Sequence, residues 1–302
     1  MRRCITTSCP AKLNLALAVD APHEDGFHPI TSWMVTVDFA DDLVVTMLDP
    51  GDLSRYAVLW HENAPQQAEI DWSIRDDLAV RAHQAIEQHV GRHLPVQMKL
   101  QKRIPVGGGL GGGSSNAAGM LRAVNGLFEL GLNDEDLHAL AASLGSDVPF
   151  LLHGGSALVR GLGEQIESHS TLPTLAAVLV LPSFSCSTGV VYNAFDDLPL
   201  SPFRGGEVEA LAAACPDGAS FFNDLAGPAM AVEPALHDLH ARLMACTDEP
   251  VHISGSGSTL FIPCSDSMHA GALAAAVQKQ LDVPAVAVTP CTLEPDLLET
   301  TP

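Results

Sequence analysis

The residues from Lys102 to Ala118, KRIPVGGGLGGGSSNAA, carry the densest chemical signal in the chain. Six of the seven positions from 107 to 113 are glycine: Gly107, Gly108, Gly109, Gly111, Gly112 and Gly113. Glycine loses more backbone freedom on folding than any other residue, so such a run is costly unless something bulky must lie against bare main chain. A strand pattern precedes it (VQMKLQK, 96–102) and a helix pattern follows from Ser114. In that arrangement backbone N–H groups and a helix N-terminus converge on an anion. Ser114 and Ser115 stand where their hydroxyls can cap the helix or donate to phosphate oxygens. The chain has only four lysines, Lys12, Lys99, Lys102 and Lys279, and two of them shortly precede the run.

Two known phosphate motifs can be tested against it. The pattern GxxxxGK[ST] is absent, because no lysine follows the glycines. Gly107, Gly109 and Gly112 satisfy GxGxxG, but a dinucleotide fold also needs an acid ending the next strand, about twenty residues on. Asp134 stands near that distance and opens a helix, with no strand between. The dinucleotide reading fails, leaving a phosphate cradle or a loop of purely structural purpose.

Other candidates are isolated in sequence. Asp147, in GSDVPF, is either a turn residue or a base; an acid just beyond a helix C-terminus does nothing for that helix. Lys12 opens an otherwise apolar strand, and Asn14 shares its face. His89 and His93, and His237 and His240, have helical spacing without a third metal ligand nearby. No GxSxG elbow occurs.

These residues need a scaffold. Strands are expected at 13–19, 32–39 and 42–48, and an irregular hairpin region at 49–73, with Pro50 and Pro65. A helix is expected from Asp76 to Gly91, a strand over 96–102, and helices over 114–127 and 133–145, the last capped by Asn133. LLHGGSALVRGLGEQIE reads as strand, turn and strand. The pattern restarts near 170 with a buried strand at 175–183, which divides the chain into 1–170 and 171–302. Helices near 207–214 and 233–246, a strand at 250–253, the glycine turn SGSGS (254–258) and a helix over 268–281 complete the reading.

The 302 residues suffice for two domains, and a net charge of −21 argues against nucleic acid or an anionic membrane as partner. Seven cysteines, odd in number and without a CxxC pair, suit reduced thiols. No apolar segment follows the arginines of MRRCITTSCPAK, and the longest apolar run, 175–181, is too short to span a bilayer. A cytoplasmic protein is expected.

The blocks PAKLNLAL (10–17), DGFHPI (25–30), RDDLAVRA (75–82), IPVGGGLGGGSSNAA (104–118), LGSDVPF (144–150), STGVVY (187–192), NDL (223–225) and SGSGS (254–258), in this order, resemble the GHMP small-molecule kinases. The pairing of PAKLNL with DGFH resembles those members that act on a cytidyl diphosphate of methylerythritol. The resemblance implies an α+β fold of two domains, the first ribosomal-S5-domain-2-like and the second a ferredoxin-like α/β sandwich. It implies ATP with Mg2+, held at Lys102, Pro105, the six glycines, Ser114 and Ser115, with Ser115 a candidate for the metal, whose ligands are otherwise unknown. Asp147 and Lys12 would flank the transferred group. Asn14, Asp147 and Thr188 would face the alcohol substrate, Phe27 and Tyr192 would sandwich its cytosine, and His28 would contact the base edge. A monomer or homodimer is implied. The chain departs from the family at Phe27, usually tyrosine, at Ala226, where an acid is common, and at Ser258, commonly alanine. A kinase of homoserine or of a mevalonate-like alcohol, and a non-catalytic nucleotide or sugar sensor, are the alternatives.

Overall fold

A computed structural model describes every residue except Met1, Asp25, Leu200, Pro216, Asp217 and Pro302, so the first residue of DGFHPI lies outside the described residues. Two 18-residue strands dominate, β1 (Arg2–Val19) and β2 (Ile30–Met47), paired antiparallel over their length. The runs expected as separate strands at 32–39 and 42–48 are one strand. Register shifts fall between Pro10 and Ala11 and between Asn14 and Ala16, on either side of Lys12 and Asn14. Such irregularities re-aim side chains out of the pleat. They also change which face a residue lines. Trp33, Val35, Val37 and Phe39 lie in one core, whereas Leu43 and Val45, also odd-numbered, lie in another.

Strand β3 (Arg55–Trp60) runs parallel to β4 (Val96–Lys102), which pairs with β2. The segment expected to be irregular therefore contains a sheet strand. β5 (Ser156–Gly161) and β6 (Gln165–His169) extend the sheet from the other half of β2. On one face pack α1 (Leu78–Val90), α2 (Gly112–Leu127), α3 (Asp134–Leu144) and α4 (Val148–His153). Asp77 caps α1 and Gly91 ends it in the left-handed region; Asn133 and Asp136 form a reciprocal capping box on α3. The sequence LLH, expected to be strand, belongs to α4, which Pro149 opens.

After residue 170 the chain builds a second, four-stranded antiparallel sheet in the order β11-β7-β10-β9. Its strands are β7 (Ala176–Val180), β9 (His252–Ile253), β10 (Leu260–Cys264) and β11 (Ala285–Val288). Around it lie α5 (Thr188–Asp196), α7 (Ala226–Val232), α8 (Pro234–Met244) and α9 (Ser267–Leu281), whereas α6 (Gly205–Ala214) packs on β1 and β2 of the first sheet. STGVVY thus enters a helix. Two strands return to the first sheet: β8 (Phe222–Asn223) beside β1, and β12 (Leu297–Thr301) on the outer edge of β1, which brings that sheet to eight strands. A shared apolar layer joins the sheets, with Leu13, Trp33, Val35 and Phe39 packed against Leu179, Phe261 and Val288. Among the described residues no helix is long and apolar enough to cross a membrane.

Candidate active site

The glycine loop runs from β4 to α2 and is clamped from both sides. Lys12 N–H donates to the Leu110 carbonyl (2.9 Å), Thr259 N–H to the Gly108 carbonyl (3.1 Å), and Ser254 Oγ to the Gly109 carbonyl (3.0 Å). Gly107, Gly109 and Gly111 have φ of +71°, +74° and +68°, which a side chain would strain. A Cβ on Gly109 would strike the Ser254 carbonyl of the SGSGS turn; one on Gly111 would reach Lys12 Cγ at 2.9 Å, and one on Gly112 would reach Ile104 at 2.8 Å. At these three positions the glycine is required by the protein's own packing. That is a physical reason different from direct contact with a ligand.

Helix α2 begins at Gly112, two residues earlier than expected, with Gly111 at its N-cap and no side-chain cap. Ser114 and Ser115 are therefore not caps. The first-turn N–H groups of a helix lack intrahelical partners, and here no side chain answers them. They border a cavity of about 470 Å³ lined by Lys102, Pro105, Ser114, all six glycines, Trp72 and Val106. Ser115 does not line it; its Oγ is buried and has no hydrogen-bond partner among the described residues. Lys102 is already engaged. Its Nζ lies 2.6 Å from Asp41 Oδ2 and 3.0 Å from Asn116 Oδ1. Asp41, wholly buried, also accepts from Asn116 Nδ2 (3.0 Å) and from the N–H groups of Arg103 (2.6 Å) and Ile104 (2.8 Å).

Lys12, Asn14 and Asp147 converge. Lys12 Nζ donates to Asn14 Oδ1 at 2.6 Å and lies 3.5 Å from Asp147 Oδ2. Asn14 is held in turn by Ser32 Oγ (2.9 Å), whose own hydroxyl donates to the Ala16 carbonyl (2.9 Å). Asp147 occupies the N-cap position of α4 without bonding a backbone N–H there. This corrects the electrostatic reading from sequence: the acid follows the end of α3 but opens another helix, whose dipole favours it. Its carboxylate remains available to a ligand.

A second cavity of about 500 Å³ is lined by Lys12, Asn14, Phe27, His28, Thr188 and Tyr192 among others. Phe27 lies on the loop between β1 and β2 and is 63% exposed. His28 is buried; its ring meets Tyr192 at 5.0 Å, and its Nε2 lies 2.7 Å from Asp196 Oδ1. Burial, with a smaller contribution from the charge of Asp147, pushes the Tyr192 phenol up to about 12. Thr188 Oγ1 is 2.9 Å from Ser256 Oγ, which ties α5 to the SGSGS turn. Both cavities are lined by Gly107, Gly109, Ser114, Asp147 and Thr188, so they meet at Asp147. Among the described residues no cluster of three His, Cys, Asp or Glu side chains could hold a metal unaided.

Several positioning residues escaped sequence reasoning. Asp41 and Asn116 fix Lys102, and Asp196 fixes His28. Asn223 Nδ2 donates to the Ile253 (2.8 Å) and Gly255 (2.7 Å) carbonyls, pinning the SGSGS turn beside β1. Of these, Asn116 and Asn223 stand in blocks with a visible signal, GSSNAA and NDL, and Asp41 and Asp196 do not.

Residues 77–155 match the family model described as GHMP kinases N terminal domain. A 4-diphosphocytidyl-2-C-methyl-D-erythritol kinase of Mycolicibacterium smegmatis is 37% identical over 276 residues, covering 87% of this chain and 82% of that protein. One of the same name from Exiguobacterium sibiricum is 35% identical, covering 85% of this chain and 88% of that protein. A crystal structure of a 4-(cytidine 5'-diphospho)-2C-methyl-D-erythritol kinase is 33% identical, with a TM-score of 0.73 over 95% of this chain and 98% of that one. A homoserine kinase from Cytophaga hutchinsonii, 17% identical with a TM-score of 0.71 over 98% of this chain and 97% of that one, shares the fold. With Lys12 against Asp147 at the floor of two joined cavities, and with these likenesses over most of its length, the chain belongs to the 4-diphosphocytidyl-2-C-methyl-D-erythritol kinase family of GHMP kinases.

Proposed function

We propose that the protein transfers the γ-phosphoryl group of ATP to the 2-hydroxyl of 4-diphosphocytidyl-2-C-methyl-D-erythritol, a step of the non-mevalonate route to isoprenoid precursors. One observation carries the reading: the cavity over the glycine loop and the cavity lined by Phe27, His28 and Tyr192 meet at Asp147, beside Lys12. Phosphoryl transfer asks chiefly for positioned phosphates, neutralised charge and an oriented hydroxyl. The uncapped first turn of α2 and the loop N–H groups receive the triphosphate, while Trp72 and Val106 offer apolar surface to its base. Asp147 accepts the proton of the attacking hydroxyl, and Lys12 offsets the negative charge that gathers on the oxygens. Phe27 and Tyr192 take the cytosine on its faces.

Magnesium fits the donor chemistry at the shared wall, where Asp147 and Ser114 offer the hard oxygens it prefers alongside phosphate; when bound, it neutralises phosphate charge. All seven cysteines are free, in keeping with a cytoplasmic enzyme. The test is an ATP-coupled assay offering the cytidyl substrate, homoserine and mevalonate in parallel. Turnover of the cytidyl substrate alone is expected. Preference for either of the other alcohols, or binding without turnover, would overturn the reading.

A further inference from the structure

We infer that Asp196 makes the base subsite select cytosine over uracil, acting as a positioning residue that fixes the tautomer of His28. The inference rests on the cytidyl reading above. His28 Nε2 lies 2.7 Å from Asp196 Oδ1, and a carboxylate can only accept, so Nε2 carries the hydrogen. In a neutral imidazole the other nitrogen, Nδ1, is then a lone-pair acceptor. No hydrogen bond among the described residues engages Nδ1, and His28 borders the cavity that Phe27 and Tyr192 also line.

The ring cannot easily turn over to exchange its nitrogens. Tyr192 packs on it at 5.0 Å with a 46° tilt, and Phe195 meets it edge-on at 5.9 Å. All three partners, Tyr192, Phe195 and Asp196, come from the last turn and a half of α5. A carboxylate near a helix C-terminus opposes the helix dipole, so stability of α5 does not account for Asp196.

Cytosine presents an exocyclic amine, a donor, where uracil presents a carbonyl oxygen, an acceptor. An Nδ1 acceptor completes a hydrogen bond with the amine and meets the uracil oxygen lone pair to lone pair. A site built to bond a polar group discriminates strongly against an analogue that leaves that site group unpaired. The same imidazole with the hydrogen on Nδ1 would reverse the preference. The hydrogen bond to Asp196 therefore sets the choice.

The experiment compares kcat/KM for the cytidyl substrate and its uridyl analogue in the wild-type protein and in Asp196→Ala, Asp196→Asn and Asp196→Glu, each shown folded by circular dichroism. Wild type should prefer the cytidyl substrate. Asp196→Ala should reduce the preference by about tenfold, the value of one net hydrogen bond. Asp196→Asn, which can either donate or accept, should also reduce it, and Asp196→Glu should restore much of it. The KM for ATP should stay unchanged throughout. Equal losses on both substrates, with the preference intact, would make Asp196 a structural tie and overturn the inference while wild-type turnover upholds the cytidyl reading. A wild type that turns over both substrates equally would also overturn it, and one that turns over neither would sink both readings.

Discussion

Lys102 stands beside the glycine loop, where a phosphate-binding lysine would be expected, yet its ammonium is committed to Asp41 and Asn116. Lys102→Met should therefore act on stability before it acts on nucleotide binding. Removing one partner of a buried ion pair costs about 3–5 kcal/mol, because the other charge is left uncompensated. Asp41→Ala belongs at the upper end, since it strands Lys102 and three further donors: Asn116 Nδ2 and the N–H groups of Arg103 and Ile104. Lys102→Met belongs at the lower end, because those three donors still answer the carboxylate. With a urea slope of about 3 kcal/mol per molar, the midpoints should fall by about 1–1.7 M. The double variant Asp41→Ala with Lys102→Met should cost less than the sum of the two, as expected for residues in contact. Urea titration followed by circular dichroism gives the stabilities, and calorimetry on the folded variants gives ATP affinity. An unchanged midpoint for Lys102→Met, together with an ATP affinity lowered more than about tenfold, would refute the argument and return Lys102 to the phosphates.

Asp147→Asn should reduce turnover by roughly 10²- to 10⁴-fold with ATP affinity near normal, and Lys12→Met should likewise harm turnover more than nucleotide affinity; calorimetry beside steady-state kinetics separates the two. Gly109→Ala, at φ +74° and against the Ser254 carbonyl, should cost about 1–3 kcal/mol or more in a urea titration, and a wild-type midpoint would contradict the packing described. Phe27→Leu and Tyr192→Leu should each raise the KM for the cytidyl substrate by about five- to 150-fold, from a stacking worth about 1–3 kcal/mol, with little effect on ATP. Burial lowers the pKa of His83 and of His252 below the usual 6.5. The unfolded chain thus takes up these protons at higher pH than the folded one, so stability present above pH 6.5 should be lost as pH falls through and below it. His83→Gln should flatten that dependence in denaturation curves taken at a series of pH values.

What was legible in the sequence was local. Asn133 with acids after it, Gly91 at a helix end and the strand before the glycine loop act over one turn, and each forms as expected. LLH forms helix where strand is expected, because a short apolar run fits strand and buried helix alike; Pro149, in the first turn of α4, is the signal for helix. Asp41 was unreadable for another reason. Its partners lie on β4 and α2, and only the pairing of β2 with β4 brings them to it. Lys12, Asn14 and Asp147 were reached through family likeness, since nothing in their spacing announces that β1 and the start of α4 meet. The glycine run is visible in the sequence, but the clamp on Gly109 is not, because it comes from the Ser254 turn far along the chain.

The return of β8 and β12 to the first sheet bears on how the molecule could be divided. The expected division at residue 170 falls between the two sheets, yet the chain beyond it contributes two strands to the first sheet. A cut between β6 and β7 would leave β1 paired with β2 but stripped of β8 and β12, and would expose Leu13, Trp33, Val35 and Phe39 on one fragment and Leu179 and Phe261 on the other. An apolar face of that kind drives aggregation when nothing covers it. Expressed singly, the fragments should precipitate. Expressed together, they should find one another through that same face and regain catalysis, which would make the chain a split enzyme whose activity reports the reunion of its halves.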